Sequence, residues 1–204
     1  MRTPSFSRGF TLIELAVALA IAAVLLSQAV PMFSAWMQNV QIRTATESIQ
    51  NGLQLARAEA LRRNRSVMFW LTSGGNPPQA DWMVGCMNPF NSNGAGPVPE
   101  AAGDCPGSAT GGAPFNWIQY HLAANEGTPL AQVNSVDANG APTSVVTFNS
   151  LGMVLPSNLD NTTAIATINV SIPNNARPLR VTVSSGQIRM CDPALLLAND
   201  PRGC

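Results

Sequence analysis

The sequence predicts an α+β protein: one long amino-terminal helix in two chemically different halves, packed on a carboxy-terminal antiparallel β-sheet domain. Three observations carry this reading. Leu15 to Leu26 is an unbroken apolar run. Beyond it, Phe33, Met37, Val40, Ala45, Ile49, Leu53, Ala56 and Ala60 recur at helical spacing. Near the end, Ile168, Val170 and Ile172, then Leu179, Val181 and Val183, then Ile188 and Met190 alternate with polar residues, the period of half-buried strands. A chain of 204 residues holds one such domain and one appendage.

Taken in order, residues 1–9 form a short polar leader with Arg2 and Arg8, and residues 10–30 form the apolar half of the helix. The arginines stay on the cytoplasmic side while the rest crosses. Residues 31–64 form the amphipathic half, with Arg43 and Glu47, and Glu59 and Arg63, spaced i,i+4 on solvated faces. Pro31 lies between the halves, where it removes a backbone donor and should kink or loosen the helix. Residues 65–204 form the β-rich domain. Short apolar runs at Ser66 to Thr72, Asp81 to Met87, Trp117 to Leu122 and Ser144 to Phe148 read as strands. The stretch 89–114 holds six glycines and five prolines in 26 positions and reads as loop. Two final strands join through a tight turn at Ser185-Gly186.

Composition excludes several functions. Charged residues are only 11%, yet hydrophobic residues reach 46%, which argues against disorder. Eleven basic and eleven acidic residues balance, so no global field draws the chain to nucleic acid or an anionic surface. Every basic residue is arginine, and without lysine a Walker A loop or a Schiff base is impossible. His121 is the sole histidine, and the cysteines are widely spaced, so no metal site is expected and no cofactor is implied. His121 reads as structural and the chain as a non-enzyme. Cys86, Cys105, Cys191 and Cys204 allow three connectivities. The local pairs Cys86 with Cys105 and Cys191 with Cys204 are favoured, in an oxidising compartment.

Two simple readings of the amino terminus compete. One is a membrane anchor. The other is a secretory signal, with Ser27-Gln28-Ala29 supplying the small residues signal peptidase reads, a mature start at Val30, and a soluble secreted β protein as product. Glu14 opposes the secretory reading, because a lone carboxylate in an apolar segment costs about 2.5–3.5 kcal/mol on insertion scales and needs a partner. The helical pattern also runs far past the point where a signal peptide ends.

Gly9-Phe10-Thr11-Leu12-Ile13-Glu14-Leu15, after a basic leader and before a long apolar helix, resembles the processing site of type IV pilins and type II secretion pseudopilins. The resemblance implies that prepilin peptidase cuts between Gly9 and Phe10 and methylates the new amino terminus. It implies further that Glu14 pairs with the Phe10 amino group of a neighbouring subunit during assembly. The physics agrees, since glycine lets a protease approach the backbone, and a buried charge serves best as a registration device. The long helix, sheet and terminal Gly186-Gln187-Ile188-Arg189 strand are similar to the GspH/FimT (FimU) group of minor pilins and pseudopilins. The Met190-Cys191-Asp192-Pro193 ending leans toward its pilus members.

The implied protein is a single-pass bacterial inner-membrane protein with a periplasmic domain. It would later join a type IV pilus or a secretion pseudopilus, with other pilins or pseudopilins as partners. Some members of the group bind DNA for natural transformation through a terminal glycine-arginine-any-arginine strand. In this chain Gln187 replaces the first of those arginines. If the hairpin pairs across Ser185-Gly186, Thr182 faces Arg189 and Arg180 lies diagonally beside it, with Arg177 and Arg202 close, a spot able to hold a few phosphates. Asp192 and Asp200 in the same loop oppose that use.

Overall fold

The computed structural model describes residues 11–72, 78–88, 98–99, 116–159, 161–173 and 177–204. The chain divides into two units, Met1–Met37 and Gln38–Cys204. Helix α1, Leu12–Arg63, belongs to both, and its helical assignment continues through Pro31. Thr11 caps it: the Glu14 N–H donates to Thr11 Oγ1 at 3.3 Å.

In the first unit the described apolar side chains of α1 lie in the open. Leu12 is 86% exposed, and Ile13, Leu15, Val17, Leu19, Ile21, Val24, Leu25 and Leu26 are all more than half exposed. Phe33 and Trp36, one turn apart, bring their rings within 5.7 Å of each other.

In the second unit the rest of α1 buries a seam. Ile42, Ala45, Ile49, Leu53, Ala56 and Ala60 recur every three or four residues, and each is at most 1% exposed. The seam starts at Ile42 and not, as the sequence suggests, at Phe33. Phe33, Met37 and Val40 all remain exposed. At 3.6 residues per turn Val40 lies about 140° around the helix from Ala45, so it cannot share that face. Of the two expected ion pairs, Arg43–Glu47 sits in solvent as anticipated, whereas Glu59 and Arg63 are mostly buried.

Two antiparallel sheets meet this seam. The first joins β1 (Val67–Leu71), β2 (Trp82–Asn88), β3 (Val98–Pro99) and β4 (Asn116–His121) with β6 (Val145–Phe148), in the order β3-β2-β1-β6 with β4 also pairing β2. The second has the order β5-β7-β8-β9, from β5 (Gln132–Val136), β7 (Thr167–Ser171), β8 (Leu179–Ser184) and β9 (Gln187–Cys191). The run Val67–Leu71 is continuously apolar because both of its faces are covered. Val67, Phe69 and Leu71 join the main core, while Met68 and Trp70 meet Met83, Val145 and the partly buried Leu159 on the other side. The segment around Asn158 is tied across that side by its amide, which donates to the Val145 and Thr163 carbonyls at 3.1 and 3.0 Å.

Gly52 sets how closely helix and sheet approach. A Cβ there would lie 2.9 Å from the rings of both Phe69 and Trp82, so only glycine admits them. Strands β5 and β3 were not anticipated. Gln132-Val133-Asn134-Ser135-Val136 carries only two apolar residues, and Val98–Pro99 lies in the stretch 89–114 read as loop. The remainder of that stretch lies outside the described residues.

Candidate functional site

Three groups of residues carry the chemistry that the sequence singles out. The first is the amino-terminal segment. Gly9 and Phe10, the residues of the expected cleavage, lie outside the described residues. Glu14 stands exposed in the first turn of α1, where the positive end of the helix dipole favours a carboxylate. The helix around it is long and apolar enough to cross a membrane.

The second group is the carboxy-terminal hairpin and its disulfide loop. Ser185 and Gly186 both take positive φ, +46° and +88°, as a type I′ two-residue turn demands. Glycine is required at the second position, since a Cβ there would lie 2.5 Å from the Gly152 carbonyl oxygen. The register follows the expectation: Thr182 lies opposite Arg189, and Arg180 lies opposite Cys191. Cys191 and Cys204 are joined by a disulfide. Cys86 is buried and is not a free thiol, and Cys105, its expected partner, lies outside the described residues.

The hairpin arginines are engaged within the chain. Arg189 Nη2 donates to the carbonyls of Pro201 at 2.6 Å and Gly203 at 2.9 Å, holding the disulfide loop against β9. Arg180 Nε donates to Asn169 Oδ1 at 2.7 Å. Arg202 pairs with Asp200 at 2.8 Å, and hydrogen bonds from its side chain and then its backbone N–H bring the Asp200 carboxyl down to about 2. Arg177 is exposed just before β8 and has an interaction of its own. Sequence spacing alone does not reveal the carbonyl acceptors that residues 201 and 203 offer Arg189.

The third group, missed by sequence reasoning as a unit, is a polar cluster where α1 meets the sheet. The Trp82 indole N–H donates to Ser48 Oγ at 2.9 Å, and Ser48 Oγ lies 3.4 Å from His121 Nε2. His121 stacks on Trp82 with centroids 5.0 Å apart and its Nε2 meets Glu126 Oε1. Asp81, beside Trp82, accepts the Ala123 N–H at 2.7 Å, fixing the 3-10 turn Ala123–Glu126 that carries Glu126. These contacts hold His121 between Ser48, Trp82 and Glu126. Ser48, Trp82, His121 and Glu126 line one wall of a cleft of about 370 Å³ together with Glu47, Asn51 and Gln119. Among the described residues no three His, Cys, Asp or Glu side chains converge to hold a metal.

Comparison with known proteins then places the chain. Residues 5–27 match the prokaryotic N-terminal methylation motif. Among solved structures, the chain is similar to the type IV minor pilin FimU of Pseudomonas aeruginosa in two crystal forms. The first likeness has 15% identity, covers 76% of this chain and 91% of that one, and has a TM-score of 0.46. The second has 16% identity, covers 72% and 90%, and has a TM-score of 0.41. No curated protein matches by sequence. Residues 45–187, which take in α1 from Ala45 onward and every strand up to the start of β9, match the family described as type II transport protein GspH, and the chain belongs to that family.

Proposed function

We propose that this chain is a minor pilin or pseudopilin: a structural, non-enzymatic subunit. It would be cut by prepilin peptidase between Gly9 and Phe10, methylated at Phe10, and assembled with other pilins into a type IV pilus or a type II secretion pseudopilus. Before assembly it sits in the bacterial inner membrane with its β-rich domain in the periplasm. The single observation that carries this reading is the junction of a methylation motif over residues 5–27 with a helix whose described apolar side chains before residue 28 are all exposed. Such a surface is stable in lipid or against other helices and not in water. Glu14 then takes the role of a registration charge, because a carboxylate amid that surface is costly until a neighbouring amino terminus meets it.

Mass spectrometry of the mature amino terminus tests the proposal. A methylated start at Phe10 is expected, and a start at Val30 overturns the filament role because the assembly helix would be gone. In the same strain Glu14→Ala should leave the membrane level unchanged and abolish co-purification with the other filament subunits. Equal incorporation of mutant and wild type would remove Glu14 from the mechanism.

A further inference from the structure

The chain closes the edges of its sheets unevenly. On β5, whose inward groups face β7, the outward Val133 N–H donates to the Pro78 carbonyl at 3.0 Å and the outward Ser135 carbonyl accepts from Thr143 at 3.2 Å. On β6 the outward carbonyls of Val145 and Thr147 each accept a bond of 2.9 Å, from Ile165 and Leu155. These edges are capped by the protein's own loops, a common defence against stray strand pairing.

Strand β9 is different. It is the last strand of its sheet. Around the two-residue turn Ser184 pairs with Gln187, so Gln187, Arg189 and Cys191 bond to β8, and the main-chain groups of Ile188 and Met190 point the other way. The next outward position, Asp192, is covered: its N–H donates to the Arg202 carbonyl at 2.7 Å, and it forms a parallel bridge with Gly203. Among the described residues no main-chain group covers Ile188 or Met190. The carboxy-terminal tail therefore begins a fifth strand and leaves it unfinished.

The charge beside this edge is also incomplete. Arg189 donates to the Pro201 and Gly203 carbonyls, both neutral acceptors in the tail that continues this edge, whereas Arg180 turns the other way, to Asn169 on β7. Arg189 forms no ion pair among the described residues, whereas Arg202 is balanced by Asp200. A strand laid beside Ile188–Met190 gains main-chain hydrogen bonds and, if it carries carboxylates, compensation for the Arg189 guanidinium.

We propose that the open edge of β9 is a docking site for an extended, acidic segment of a neighbouring filament subunit, added antiparallel or parallel as the fifth strand of this sheet. The identity of that neighbour as a filament subunit rests on the function proposed above; the edge itself does not. Amide exchange measured by NMR on the isotopically labelled full chain in detergent micelles tests it. In the free chain the Ile188 and Met190 amides should exchange faster than those of Arg189 and Cys191. A hexapeptide of alternating valine and glutamate should slow the first pair by about tenfold or more in a saturable way. The same peptide with every amide N-methylated should have no effect.

Slow exchange at Ile188 and Met190 before peptide is added, or equal binding by the N-methylated peptide, overturns the proposal. If a single-stranded oligonucleotide shifts the Arg180 and Arg189 signals while the peptide does nothing, the surface belongs to nucleic acid and the proposal fails in that direction. Failure of the peptide with Glu14-dependent co-purification intact removes the edge site alone, and a mature start at Val30 removes the filament reading alone.

Discussion

The two halves of α1 make opposite use of one backbone geometry. Between Leu12 and Leu26 the large apolar side chains are exposed without exception, and between Ile42 and Ala60 a seam of six apolar residues is fully enclosed. Both halves are rich in alanine and leucine and both suit a helix. What differs is periodicity. The first half is apolar on every side, so no single face can satisfy it, whereas the second concentrates its apolar residues on one face and meets two sheets there. The difference teaches that the stability of the second half resides in this chain, while that of the first is supplied by lipid or by other helices.

The sharpest way to break that comparison is to cut into the seam. Leu53→Ala should destabilise the second unit by about 2–5 kcal/mol, from lost transfer energy plus the cavity left in the main core. Gly52→Val should cost at least as much, because even a Cβ at this position lies 2.9 Å from both rings and the helix cannot withdraw without opening the seam. Denaturant unfolding followed by tryptophan fluorescence reads both. Val24→Ala in the first half should leave the unfolding midpoint of the second unit unchanged. A comparable loss from Val24→Ala would mean that the exposed half is also held by the globular part, and the contrast would collapse.

Legibility in the sequence followed the strength of local pattern. The terminal hairpin was readable to the residue pair, since alternation on both sides of Ser185-Gly186 leaves one register that keeps Val181, Val183 and Ile188 on the same face. The interior runs at residues 66–72, 81–87, 117–122 and 144–148 were readable as strands, with ends that moved by a residue. Strand β5 was not, because its pairing with β7 rests on main-chain bonds and on Val133 alone as a buried anchor. The phase of the helical seam was misread at its start because Phe33, Met37 and Val40 are apolar for a different reason: they belong with the exposed half of the helix. At the hairpin, the arginines were found but their acceptors were not. Backbone carbonyls of residues 201 and 203 leave no trace in side-chain chemistry, and it is they that engage Arg189.

A second set of changes sharpens the comparison at the far end of the second unit, where the chain stabilises itself by covalent and charged ties. Cys204→Ser releases a 13-residue separation from closure and should cost about 3 kcal/mol, mostly by freeing the unfolded chain. Arg189→Ala should cost about 1.5–3 kcal/mol, since two charge-assisted bonds to the Pro201 and Gly203 carbonyls are lost. The two act on one loop, so the double variant should lose less than the sum. Thermal unfolding of the single and double variants measures the coupling. Strict additivity would show that Arg189 and the disulfide hold separate structures.

The smallest expected effect lies at the end of α1. Burial raises the Glu59 carboxyl, and hydrogen bonds from Arg62 at 2.6 Å and Arg63 at 2.7 Å, with the charges of both, outweigh it and leave the group below its ordinary value of 4.5. A carboxyl lowered on folding adds stability that is fully present above its unfolded value and is lost as pH falls through the folded one. The contribution should therefore be complete at neutral pH and fade below about 4.5. Glu59→Gln should cost about 1 kcal/mol or less at pH 7, in keeping with a partly exposed triad. Its stability should also fall less steeply than wild type in acid, while Asp200, held at about 2, keeps its charge to lower pH than an ordinary aspartate. Unfolding midpoints at pH 7, 5, 4 and 3 for wild type, Glu59→Gln and Asp200→Asn separate the two groups. Parallel wild-type and Glu59→Gln curves across that range would show that the triad adds nothing to the anchored end of the helix.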